Sequence, residues 1–237
     1  PNQYGFREIE YDTIPLKITA RVAQIIFITC VGINLVFSYK SSEEKKEDKY
    51  EYTKKSIYRV LKLSFFALFM TLFTYFVFGE KYVKFGILHF IAFSSLILFP
   101  FVNNMKVIYG ILSVLIFIYS LLKYNPQLFS SVPPNLAFIS GFYFVYPAVD
   151  HFPLIPWMIL ICIGIIIGQY IVKNNPQLLS DKSKENKILD FLRITGKKSL
   201  EVYVIHWLII YLIFCHIYPK YIRTTPLLTN DDFIIGH

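Results

Sequence analysis

Arg21 and Gln24 stand three residues apart inside an apolar run from Ile18 to Tyr39. On a helix that spacing puts both on one face, with Gly32 further along it. A guanidinium held there can grip a carboxylate or a phosphate. The plainer reading is an arginine that snorkels to a membrane surface on its long stem. Ser199, Tyr203 and His206 repeat at offsets of four and three, again one helical face. His206 lies about two turns into its apolar run. A neutral imidazole there can move protons near neutral pH, or it can simply make a hydrogen bond between helices. His89, in Gly86-Ile87-Leu88-His89-Phe90, offers the same two alternatives nearer a helix end. Asp150-His151 precedes Phe152-Pro153-Leu154-Ile155-Pro156-Trp157. Asp150 can orient an imidazole or cap the following helix, and Trp157 suits an interfacial aromatic belt. The catalytic candidates are therefore His206, His89 and Asp150. The substrate-binding candidates are Arg21, Gln24, Tyr203 and Trp157.

These few polar groups stand out because the rest of the chain is so apolar. Of 237 residues, 55% are hydrophobic and only 17% charged, which excludes disorder and leaves little charge to coat a soluble domain. The apolar residues fall into six runs, at about 18–39, 60–78, 85–102, 106–122, 154–172 and 199–217. Each is long enough for a helix to cross about 30 Å of hydrocarbon. The runs do not alternate polar with apolar, as barrel strands do. The expected fold is all-α, a single polytopic transmembrane helix bundle of about six spans over residues 1–237. Ionisable side chains within such spans are costly and mark functional sites by default.

The net charge of +8 also finds its explanation in topology. Lysines and arginines crowd into two segments, 40–59 and 173–198, expected as polar loops. With six spans both loops, and the Asn103-Asn104 turn, fall on one side, which the positive-inside rule makes cytoplasmic. No nucleic-acid partner is then needed; the expected partner is the lipid bilayer. Acidic residues share the first loop, so it reads as a solvated mixed-charge hairpin. Residues 132–147 are aromatic but proline-rich, which rules out a regular span and leaves an interfacial or a re-entrant segment. Cys30, Cys162 and Cys215 lie in different runs without metal-ligand spacing, and no metal is expected. Gly164 and Gly168 form a GxxxG pattern for close helix packing, and Ser64, Ala67, Thr71 and Thr74 give the second run a small, polar face. The residues leave open whether the chain assembles with copies of itself.

Several segments in order resemble a known family. They are Arg21-Val22-Ala23-Gln24 with Gly32-Ile33-Asn34-Leu35, then Phe85-Gly86-Ile87-Leu88-His89-Phe90, then Asp150 with Phe152-Pro153-Leu154-Ile155-Pro156-Trp157. Gly196-Lys197-Lys198-Ser199-Leu200 with Tyr203 and His206 completes the set. Together they are similar to the catalytic domain of heparan-α-glucosaminide N-acetyltransferase and its prokaryotic relatives, among the wider transmembrane acyltransferases. The resemblance implies a membrane enzyme, in the plasma membrane of a prokaryote, that passes an acetyl group from acetyl-CoA to a sugar or similar acceptor at the outer face. Its partners would be a small-molecule acyl donor and a glycan-like acceptor. Family members begin with a further helix carrying an Asp-x-x-Arg-Gly stretch and a histidine thought catalytic. Nothing in this chain matches it, and with Pro1 as first residue the expectation is an N-terminally truncated chain. The competing functional classes are a transporter or flippase of a polar lipid or sugar, and a scaffold whose buried polar groups only hold helices together.

Overall fold

The computed structural model describes residues 14–78, 82–125 and 151–174, with the isolated residues 127, 133, 205 and 209. The three segments hold α1 (Ile14–Glu44), α2 (Lys49–Phe78), α3 (Ile87–Leu98), a 3-10 turn (Phe99–Phe101), α4 (Met105–Tyr124) and α5 (Leu154–Asn174). Among the described residues there is no strand, only one isolated bridge between Phe85 and His151. The all-α expectation holds. Four helices are long and apolar enough to cross a membrane: Arg21–Glu44, Lys49–Phe76, Met105–Tyr124 and Leu154–Asn174. The third apolar run is shorter than expected, with 12 residues in α3 and 3 more in the turn. Pro100 has no N–H to continue the α-helical ladder, so the winding tightens there. Apart from residues 133, 205 and 209, the expected sixth span, 199–217, and the segments 132–147 and 175–198 lie outside the described residues.

The basic segment 40–59 differs from expectation. It is not an open loop. Lys, Glu and Arg lose little rotamer freedom in a helix, so the charged residues extend both helices past the apolar run. Only 45–48 form the turn. Glu47 N–H donates to the Ser42 carbonyl at 3.1 Å and Lys46 N–H to that of Glu43 at 3.0 Å. Lys46 sits at φ 53 between them. This is a Schellman ending, with lysine where glycine is usual. Tyr52 N–H then donates to the Asp48 carbonyl at 3.1 Å, which starts α2.

The helices pack in two groups. α1 and α4 both pack along α5, while α2 packs on α3. The core is made by Ile28, Val36, Phe90, Leu98, Val102, Ile108, Ile161, Cys162 and Ile165, all fully buried. Phe65, Leu68, Leu72 and Phe76 on α2, and Val114 and Phe117 on α4, face outward. In water each would forgo about 1.5–3 kcal/mol of burial; against lipid tails they forgo nothing. Outward apolar side chains over a tight interior are what a bilayer protein shows, and this chain is an integral membrane protein.

Contacts fix which ends lie together. The Tyr52 ring meets Tyr39 at 5.1 Å and Phe99 at 6.3 Å. Gln169 Nε2 donates to the Val102 carbonyl at 2.9 Å, and Arg59 donates to Ser38. These join the 45–48 turn, the Asn103-Asn104 turn and the Lys173 end of α5 into one basic end. The candidate residues with described side chains gather at the other.

Candidate functional site

The site begins with two threonines one turn apart on α2. Thr74 is fully buried; its Oγ1 donates to the Met70 carbonyl at 2.7 Å and accepts from Val83 N–H at 3.1 Å. Thr71 Oγ1 donates to the Val83 carbonyl at 2.9 Å. Both backbone polar groups of buried Val83 are thus held by side chains of α2. That matters because 82–86 is not helical and could not satisfy them within itself. The clamp fixes how the chain enters α3. Gly86 is the residue before that helix, with extended backbone (φ −88, ψ −175). His89 therefore lies in the first turn of α3.

From there the site extends through rings. His89 is half-buried, with Nε2 3.2 Å from Thr71 Oγ1 and its ring 5.8 Å from that of Phe85. Phe152 N–H donates to the Phe85 carbonyl at 2.9 Å, which ties the chain before α5 to the chain before α3. The Phe152 ring meets Phe90 at 6.4 Å and Trp157 at 5.1 Å. Arg21 completes the row, its guanidinium carbon 5.7 Å from the Trp157 ring centre. Such a contact contributes about 0.5–1 kcal/mol at an exposed position. Arg21 Nη1 also donates to Gln24 Oε1 at 3.4 Å, a long bond. Arg21 is exposed at the end of this row, held among the described residues by Trp157 and Gln24. A cation so placed can attract an anionic group, with exposed Lys84 at the same end of the bundle.

The structure thus brings together Arg21, Gln24, His89 and Trp157, drawn from α1, α3 and α5. Asp150, Tyr203 and His206 lie outside the described residues; Asp150 directly precedes His151 in the chain. Gly32, on the helical face read for Arg21 and Gln24, faces α5 as Arg21 does and packs on Gly164. Among the described residues no three His, Cys, Asp or Glu side chains gather as a metal site. Sequence reasoning placed Thr71 on a small packing face of α2. Ala67 and Thr74 are indeed buried there, but Thr71 also touches His89. Two hydroxyls at i and i+3 in a span otherwise rich in Phe and Leu were the available signal.

The family model described as "Heparan-alpha-glucosaminide N-acetyltransferase, catalytic" matches residues 2–208. No curated protein and no solved structure gives a significant match.

Proposed function

The chain belongs to the heparan-α-glucosaminide N-acetyltransferase catalytic family, and on that basis we propose that it transfers an acetyl group from acetyl-CoA to a sugar or similar acceptor across the membrane. The observation that carries the reading is the meeting of Arg21 and His89 at one end of the bundle through Trp157, Phe152 and Phe85. A cation and an imidazole at one end of the bundle, joined through a row of rings, suit acyl transfer to an amine or hydroxyl. The basic end faces the cytoplasm, by the excess of lysine and arginine in 40–59 and 173–198. The site then opens toward the outer face.

The acceptor's amine or hydroxyl attacks the thioester carbonyl carbon. A C–N or C–O bond forms, the C–S bond breaks, and the acceptor's proton passes to a histidine and then to the departing thiolate. His206 and His89 are the candidates for base and relay. Asp150 orients an imidazole or the acceptor. Arg21, steadied by Gln24, holds an anionic group, and Trp157 and Tyr203 supply contact surface to the substrate.

The test uses the full chain in liposomes with labelled acetyl-CoA and a panel of amino sugars. Covalent label on an acceptor, lost in His206→Ala protein that remains folded, is the expected result. Movement of an unmodified solute without any transfer would place the protein among transporters instead.

A further inference from the structure

Thr71 stands between a carbonyl oxygen and a ring nitrogen with a single proton to give. Its Oγ1 is 2.9 Å from the Val83 carbonyl oxygen and 3.2 Å from His89 Nε2. A hydroxyl carries one donor and two lone pairs. The 2.9 Å separation suits an O–H···O bond, and 3.2 Å falls at the long end for N–H···O. Burial decides the rest. Val83 is 4% exposed, and Thr71 is the side chain that donates to its carbonyl. If the Thr71 proton turned to His89, that buried carbonyl would lose the short bond Thr71 gives it, the costlier arrangement. The proton therefore goes to Val83, and toward His89 the hydroxyl oxygen can only accept.

We infer that Thr71 is a positioning residue that holds His89 in its Nε2-protonated tautomer and so makes Nδ1 the ring's proton-accepting atom. A neutral imidazole has one N–H, so fixing it on Nε2 leaves the lone pair on Nδ1. Among the described residues no hydrogen bond occupies Nδ1. Phe85 packs against the ring, and Thr74, holding Val83 N–H, keeps the carbonyl where Thr71 needs it. The order of proton sharing is His89 Nε2–H to Thr71 Oγ1, then Thr71 O–H to Val83 oxygen. What Nδ1 accepts rests on the acyl-transfer reading; the tautomer does not.

The full chain in liposomes, labelled with ¹⁵N-histidine, reports the tautomer directly, with the His89 signals identified by their loss in His89→Gln. The expected wild-type spectrum has Nε2 protonated and Nδ1 bare. Thr71→Ser keeps that signature and most of the transfer rate. In Thr71→Val the signature is lost and kcat falls about tenfold, the kinetic equivalent of one hydrogen bond, with KM for the acceptor unchanged. A wild-type spectrum with the proton on Nδ1 overturns the inference, whether or not Thr71→Val folds. So does a folded Thr71→Val with wild-type kcat. An Nε2–H signature in a wild-type protein that transfers no acyl group upholds the tautomer and removes the acyltransferase reading instead.

Discussion

A Cβ added to Gly32 would lie 2.9 Å from the Cα of Gly164. α1 and α5 therefore cross backbone against backbone, and the crossing sets the spacing between the helices that carry Arg21 and Trp157. Gly168 continues the contact one turn on, where a Cβ would meet the Val36 side chain at 3.1 Å and the Ile33 Cα at 3.2 Å. Helices in lipid gain little from apolar contact alone, so close approach at small residues supplies the packing.

Gly32→Ala and Gly164→Ala should each destabilise the protein by about 1–3 kcal/mol, because the obstructing atoms are backbone and cannot rotate away. Gly110, on α4, has nothing within 4 Å of the position its Cβ would take. Gly110→Ala should be neutral or stabilising by up to about 1 kcal/mol. Thermal unfolding in one detergent compares the three. Equal melting temperatures for all three variants would contradict the crossing.

The Arg21–Trp157 contact should show a coupling of about 0.5–1 kcal/mol in a double-mutant cycle of Arg21→Met and Trp157→Leu, read from thermal unfolding. In the transfer assay Arg21→Met should raise KM for the anionic substrate while changing kcat little. Arg21→Lys keeps the charge but not the planar fork, so it should recover part of the affinity. A KM in Arg21→Met equal to wild type would remove Arg21 from substrate binding.

The turn between α1 and α2 should be sensitive to acid. Lys55 Nζ sits 2.5 Å from Glu47 Oε1, and Ser42 Oγ donates to Glu47 Oε2 at 2.7 Å. The bond from Lys55, then that from Ser42, holds the Glu47 carboxyl below its usual 4.5. A depressed folded value stabilises the fold above the unfolded value, and that contribution disappears as pH falls through the folded one. Glu47→Gln should therefore cost some stability at pH 7 and nothing once the wild-type carboxyl is protonated. Melting curves of both proteins at pH 7 and in strong acid should converge on the acid side. A constant gap would contradict the assignment.

Two cysteines report the bundle's inside and outside. Cys30 is exposed on α1 and Cys162 is buried on α5. Cys30→Phe should be tolerated, because that position faces lipid, whereas Cys162→Phe should cost about 1–3 kcal/mol by overpacking the interior. Equal melting temperatures for the two variants would mean that α1 and α5 are not packed as described.

Much of this was legible before any coordinates. Run length and the lack of charge gave the helices, and the GxxxG of Gly164 and Gly168 marked a real crossing. The Arg21–Gln24 spacing predicted a contact that forms. The third run and the 40–59 segment depart from what composition suggests for local reasons. Pro100 ends the α-helix before it reaches spanning length, and charged residues prolong α1 and α2 where composition suggested loop. His206, Tyr203 and Asp150 remain sequence proposals. Thr71 was assigned to packing because its role needs a partner 18 residues away.

The sequence by itself determined the solvent, the helical class and which ends carry the positive charge. Those depend on composition and on periods of a few residues, which a bilayer selects through length and the need to pair every backbone group. The tertiary structure alone decided which groups from different helices meet. Thr71 reaches His89, and Arg21 reaches Trp157, through the turn at 82–86 and the chain before α5. In both places a few side-chain and backbone hydrogen bonds, not helical periodicity, set the direction of the chain.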